Sequence, residues 1–217
     1  EVQFMKPPLP GQQPRASRSF AYREGDPLWQ LALGAPIAFT GDEKFYFFGR
    51  NCGLGDAITV SLVMQPAKRA DTFPIARLPK TGRAGWGVGL TAGGDVTFRL
   101  GSHAEHRDVV ARADYRAGVA LRVTCVYDHG TALIYIDGKL ARRVDGITFA
   151  PTDVTAPGRL GANSGLYEAV GDVTLTADAL PAKARRLQNY AGDLGEVRVF
   201  NRALAPAEIA ALTGALP

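Results

Sequence analysis

From Ile37 onward the chain is built of short runs in which apolar and polar side chains alternate. In Phe45-Tyr46-Phe47-Phe48, Phe45 and Phe47 face one way while Tyr46 and Phe48 face the other, the period of a strand. Ile58 to Met64 predicts a second strand, stopped near Pro66, which has no N–H to offer a ladder. Gly85-Trp86-Gly87-Val88-Gly89-Leu90 predicts a third, with Trp86, Val88 and Leu90 on one face and only glycine or threonine on the other. On that spacing Trp86 reads as core, and so does Trp29, which precedes Leu31 and Leu33 at strand spacing. Ala92-Gly93-Gly94-Asp95 turns into Val96 to Leu100, a hairpin signal. Further on, Leu121 to Tyr127, Ala132 to Ile136 and Leu140 to Val144 are separated by Asp128-His129-Gly130 and by Asp137-Gly138. This predicts a meander of three antiparallel strands. Leu194 to Phe200 is a late strand, and Pro206 to Leu212 gives one or two helical turns with proline at the start.

Two stretches depart from that rhythm. Residues 1–26 contain Lys6-Pro7-Pro8-Leu9-Pro10-Gly11 and Gln12-Gln13-Pro14-Arg15, an extended arm or linker by composition, with the domain proper over 27–217. Asp178 to Tyr190 reads as a short basic helix or an ordered loop. No strand-helix-strand unit repeats, which argues against a parallel nucleotide-binding sheet. With 46% hydrophobic and 21% charged residues the 217-residue chain is neither a disordered tail nor a coiled coil. No apolar run approaches the roughly 18 residues needed for a membrane span.

Charge changes the picture little. The net charge of +4 comes from scattered basic residues whose densest clusters are Arg142-Arg143, Arg185-Arg186, and Arg15 with Arg18, so nucleic acid is not an expected partner. Attraction to a uronic-acid or sulfated polysaccharide is the alternative to ordinary solvated charge. The two cysteines, Cys52 and Cys125, are too few for a disulfide framework. They are compatible with one bridge in a secreted protein or with a buried free thiol at Cys125, which lies inside an apolar run. The chain begins at Glu1 rather than Met, which fits a removed leader peptide or a segment cut from a longer chain.

Three segments in order resemble the laminin-G-like, concanavalin-A-like jelly roll of bacterial secreted carbohydrate-active proteins. Phe39-Thr40-Gly41-Asp42, followed by Ile58 to Met64 and Gln65-Pro66, is similar to the family's opening F-D-G … F-T-I-S-x-W-V-x-P pattern. Val123 to Asp128 leading to Leu133-Ile134-Tyr135-Ile136-Asp137-Gly138-Lys139 resembles its central hairpin. Gly192 to Leu204 with Pro206 to Leu212 resembles its closing motif. Val63 stands where the family often has tryptophan, and Thr40 where aspartate is common. The stretch between Gly161-Ala162-Asn163 and Gly192 is longer than the usual connection. The resemblance implies an all-β fold: a two-sheet antiparallel jelly-roll sandwich with a short C-terminal helical turn. It also implies a structural calcium, for which the matching positions are Gly41, Asp42 and Asp193; Gly195, where some relatives carry aspartate, removes one ligand.

Catalytic chemistry is harder to find. Retaining glycoside hydrolysis needs two carboxylates about 5 Å apart, supplied on such sandwiches by a Glu-x-Asp-x-x-Glu string or a close relative, and the chain has none. No Gly-x-Ser-x-Gly elbow is present either. Asp137 is accounted for by its turn, and Asn201-Arg202-Ala203-Leu204 reads as a turn lock whose leucine plugs the core. The weak catalytic candidates are His103, His106 and Tyr115, with Arg107 beside them, as in a lyase; a His pair at spacing three also suits a metal. For sugar binding an aromatic face and planar hydrogen-bonding groups are needed, and the loop candidates are Arg50, Arg107, Tyr115, Asn163, Tyr167 and Tyr190.

The expected function is a non-catalytic carbohydrate-binding (lectin-like) module, secreted or periplasmic, serving a polysaccharide-degrading system. Its partner is a polysaccharide or oligosaccharide, together with other domains of a larger chain. A compact lyase or hydrolase and a protein-binding adhesion domain are the alternatives.

Overall fold

The computed structural model describes residues 3–4, 29–31, 37–41, 46–48, 56–78, 84–102, 104–148, 158–161, 167–169, 184–186 and 189–212. In chain order their strands are β1 (Gln3–Phe4), β2 (Trp29–Leu31), β3 (Ile37–Thr40), β4 (Tyr46–Phe48), β5 (Ala57–Pro66), β6 (Thr72–Arg77), β7 (Gly85–Leu90) and β8 (Asp95–Gly101). There follow β9 (His106–Arg112), β10 (Leu121–Asp128), β11 (Thr131–Ile136), β12 (Lys139–Val144), β13 (Gly158–Leu160), β14 (Tyr167–Ala169), β15 (Ala184–Arg186) and β16 (Ala191–Phe200), then the helix α1 (Pro206–Leu212).

Sheet one runs β1-β4-β13-β6-β7-β8-β9, and sheet two runs β12-β11-β10-β5-β16-β2 with β3 also paired to β16. The pairings are antiparallel, for example Val123↔Leu62 and Val199↔Val60 on the two sides of β5. Inner faces supply the core. Ile58, Val60, Leu62 and Met64 of β5 and Leu121, Val123, Cys125 and Tyr127 of β10 join Trp86, Val88, Leu90, Val96, Phe98 and Leu100 of sheet one in one buried cluster. Burying two such faces against each other is what makes half-apolar strands stable. This is the sandwich that the alternation predicts, and Trp86 is fully buried in it.

The glycines opposite Trp86 have a packing reason. A Cβ on Gly87 or Gly89 would lie 2.8 or 2.9 Å from the Phe73 ring, so the two glycines form a flat floor for that ring. Arg99 lies over the Phe73 ring, 5.0 Å from its centroid. Its guanidinium grips Asp108 through two bonds, Nε to Oδ1 at 2.7 Å and Nη2 to Oδ2 at 2.6 Å.

The meander follows from its turns. His129 and Gly130 have φ of 42° and 93°, and Asp137 and Gly138 have 49° and 77°. Positive φ at both central residues is the tight hairpin geometry that matches strand twist. Asp137 is further held by accepting the Arg122 N–H at 2.8 Å and donating its own to the Arg122 carbonyl at 2.9 Å.

At the C-terminus Thr59 Oγ1 donates to the Arg202 carbonyl at 2.8 Å and accepts the Leu204 N–H at 3.0 Å. Leu204 and Ile209 pack on Val126, Tyr135 and Phe200, on the outer face of sheet two. Glu208 takes two bonds from Arg202 and one from the Ala205 N–H. The Arg202 hydrogen bond is the main reason its carboxyl falls to about 2.

Two segments differ from expectation or complete it. Within 178–190, Ala184–Arg186 is a strand paired with Tyr167–Ala169 rather than part of a helix. Within 1–26, Gln3–Phe4 pairs with β4 at the far edge of sheet one. The Cys125 thiol is free and buried; Cys52 lies outside the described residues.

Candidate functional site

The open end of the sandwich where β9 gives way to β10 holds a cleft of about 300 Å³. Its walls are Ala113, Val119, Ala120, Leu121 and Ile136 on the apolar side, with Asp114, Tyr115, Arg116 and Asp137 supplying polar atoms. The loop that forms it is pinned rather than free. Arg69 donates from Nε to the Tyr115 carbonyl at 2.9 Å and from Nη2 to Asp114 Oδ1 at 2.7 Å. Gln65 Nε2 donates to the Gly118 carbonyl at 2.8 Å, and the Gly118 N–H donates to the Pro66 carbonyl at 2.7 Å. Asp114 has a φ of 46°, and the Arg69 hydrogen bond, followed by the Arg69 charge, holds its carboxyl below the usual range. Arg116 and Arg112 lower it further through space.

Tyr115 stands apart from the expectation that it is a free loop aromatic. It is 5% exposed, and its hydroxyl donates to the Thr91 carbonyl at 2.8 Å and accepts the Ala70 N–H at 3.3 Å. Burial raises its pKa. A hydroxyl so committed ties three loops together and is poorly placed to act as a base. Tyr115→Phe therefore costs about 1–2 kcal/mol in chemical denaturation, whereas a fully catalytic or ligand-stacking role predicts an unchanged melting curve.

Tyr190 is likewise core. It is 1% exposed, its ring meets Phe39 edge-on at 5.9 Å, and its hydroxyl donates to the Asp193 carbonyl at 3.0 Å. Neither ring offers a face for stacking on sugar, because both aromatics close the sandwich end instead. His106 begins β9 opposite Gly101 and is exposed, and Arg107 follows it, also exposed. For Tyr167 the backbone in β14 is described. Arg50, Asn163 and His103 lie outside the described residues, and so does the His103–His106 pair as a geometry.

Of the three calcium positions, Gly41 and Asp193 are described, and both lie along the β3–β16 pairing. Thr40 lies opposite Ala191, so Asp193 falls opposite Ala38, three residues short of Gly41. That is about 10 Å along the strand. Asp42 is outside the described residues, and among the described residues no group of three or more His, Cys, Asp or Glu is placed to hold a metal. The residues missed by sequence reading are Arg69, Asp114, Arg116 and Val119. The Asp114-to-Gly118 turn was the one available signal, since Asp and Gly favour left-handed backbone.

Two antiparallel layers closed by tight hairpins, with the cleft at a loop-lined end, define a lectin-type jelly roll. The chain belongs to the concanavalin A-like lectin/glucanases superfamily, whose sequence profile matches residues 40–210. No curated protein matches the sequence closely enough to count as a relative. Among solved structures, the chain is similar to the CBM40 of the Ruminococcus gnavus IT-sialidase bound to α2,3 sialyllactose. There the TM-score is 0.63 at 14% identity, covering 87% of this chain and 100% of that one. The binding domain of Paraclostridial Mosquitocidal Protein 1 gives 0.60 at 11% identity, over 87% of this chain and 46% of that one. NanB in complex with Optactamide gives 0.64 at 14%, over 88% and 28%. The chain thus spans less than half the length of the last two.

Proposed function

We propose that this chain is a non-catalytic carbohydrate-binding module, exported from the cell, that seats one saccharide unit in the cleft between Asp114 and Asp137. The observation that carries the reading is the cleft itself, about 300 Å³ and lined by aliphatic side chains together with the charged, planar groups of Asp114, Arg116 and Asp137. A pyranose presents an apolar C–H face and a ring of hydroxyls, and a concave site with few fixed polar groups suits it. Pinning by Arg69 means little ordering entropy is lost when a ligand enters. Two further points support the reading. The CBM40 of similar fold is a saccharide-binding module, and the chain lacks the carboxylate string that would make the site hydrolytic. The lyase alternative is disfavoured by the committed Tyr115 hydroxyl.

Calorimetric titration with neutral and acidic oligosaccharides tests this. Wild-type protein binds at least one of them, and Arg116→Ala or Val119→Asp weakens that binding about tenfold or more, a loss of about 1.4 kcal/mol. Both side chains are exposed, so the variants keep their melting temperature. No binding by wild type, or equal binding by both variants, overturns the proposal.

A further inference from the structure

Beyond the cleft, one edge of the sandwich carries an unusual set of side chains. β9 and β12, the terminal strands of the two sheets, lie against one another along that edge. β9 runs toward the cleft, since Ala113 directly after it lines the opening. β12 runs away from it, since Ile136 and Asp137 directly before it line the same opening. Arg112 and Lys139 therefore flank the mouth, with Arg116 in its wall, and Arg107 and Arg142 lie farther along the seam. From Arg112 to Arg107 the strand covers about 17 Å.

Arg107, Arg112, Arg116, Lys139 and Arg142 are all exposed. The acids that might have neutralised them are already taken: Asp108 by Arg99, Asp114 by Arg69, and Asp145 by Arg143. Asp95, directly opposite Arg112 on β8, and Glu105 and Asp137 are the remaining carboxylates nearby. The three large hydrophobic side chains exposed among the described residues also fall here, Val110 on β9, Leu140 on β12 and Val119 beside the cleft. Among the described residues no ion pair takes up Arg107, Lys139 or Arg142, and these cations, continuous with Arg116 and Val119 at the ligand cleft, make a track rather than a random scatter.

We propose that this seam is the binding track for an acidic polysaccharide, one bearing carboxylate or sulfate groups, whose terminal or internal unit enters the cleft. This deepens the carbohydrate-binding reading and rests on it. Guanidinium forks match the planar oxygens of carboxylate and sulfate, and four of the five cations are arginine. Nucleic acid fits less well: the seam has no exposed aromatic among the described residues to stack a base, and no helix to enter a groove.

Affinity electrophoresis through gels containing polygalacturonate, dextran sulfate or neutral dextran tests the track. Wild-type protein is retarded by both polyanions and the retardation weakens as salt is added. The double variant Arg107→Glu, Arg142→Glu, both away from the mouth, loses at least about tenfold in polyanion affinity while its oligosaccharide binding at the cleft and its melting temperature are kept. Equal retardation of the variant, retardation indifferent to salt, or tighter binding of duplex DNA than of either polyanion at the same salt overturns the track. If neutral oligosaccharides bind and polyanions do not retard, the track alone falls. If no saccharide of either kind binds, the module reading falls with it.

Discussion

Gly192→Ala lowers the stability of the fold by about 3–5 kcal/mol, the sum of a strained backbone and a forced clash. Gly192 sits in β16 between two neighbours, opposite Phe39 of β3 and Pro66 of β5. Its φ is +135°, a region that side chains rarely enter, and a Cβ there would lie 2.2 Å from the Gln65 carbonyl oxygen and 2.8 Å from Ala67 N and Pro66 Cα. Those contacts are with backbone, which cannot swing aside as a side chain can. The backbone is also fastened: Ala67 N donates to the Ala191 carbonyl at 2.9 Å and Gly118 N to the Pro66 carbonyl at 2.7 Å. Relief at Gly192 would therefore pull on the loop that shapes the cleft. Gly195→Ala, three positions along the same strand, is the control. Its Cβ would meet Val63 at 3.6 Å or beyond, an ordinary contact, and its cost stays below about 1 kcal/mol. Urea denaturation reads both, with the midpoint of Gly192→Ala falling at unchanged m-value. Equal midpoints for the two variants would refute this account of the strand junction.

Arg99→Ala costs about 3 kcal/mol. Arg99 is 3% exposed, and its partner Asp108 is 24% exposed. Removing the guanidinium leaves Asp108 half-buried without its counter-charge and opens a void above Phe73, and both effects destabilise. Arg99→Lys restores the charge but neither the two-pronged grip nor the flat contact with the ring, so it recovers part of the loss. A double-mutant cycle with Asp108→Asn shows a coupling of about 1–3 kcal/mol. A loss under about 1 kcal/mol for Arg99→Ala would mean that the ion pair and the Phe73 stack contribute little. The glycine floor under Phe73 would then need another explanation.

The fold was legible because its signals are local. Trp86, Val88 and Leu90 at alternate positions, and Asp137-Gly138 between two apolar runs, each carry their geometry in two to six residues. The Thr59 bridge to Arg202 and Leu204 spans the chain and leaves no local trace, although the closing motif hinted that Leu204 was core. The site was much less legible. Tyr115 and Tyr190 are aromatics in loops, the pattern a sugar site needs, yet a tyrosine at a sandwich end can equally turn inward once its hydroxyl finds a carbonyl, as both do here. Arg69 gave no sequence signal at all, because its importance lies in contacts with Tyr115 and Asp114, more than forty positions away. The seam was half visible: Arg142 and Arg143 are adjacent in sequence, but only the pairing of Arg143 with Asp145 shows which of them is left free.

The register of β5 has a consequence for biosynthesis. This strand occupies the middle of sheet two, flanked by β10 on one side and β16 on the other. Its second partner lies far down the chain, with Val199 opposite Val60, and pairs only once that distant segment has been made. Until then a long hydrophobic strand has one ladder edge open, and closing it requires contact across most of the chain, the kind of distant pairing that makes folding slow. A newly made chain thus exposes this edge until the distant strand docks, which makes it a client for holding chaperones.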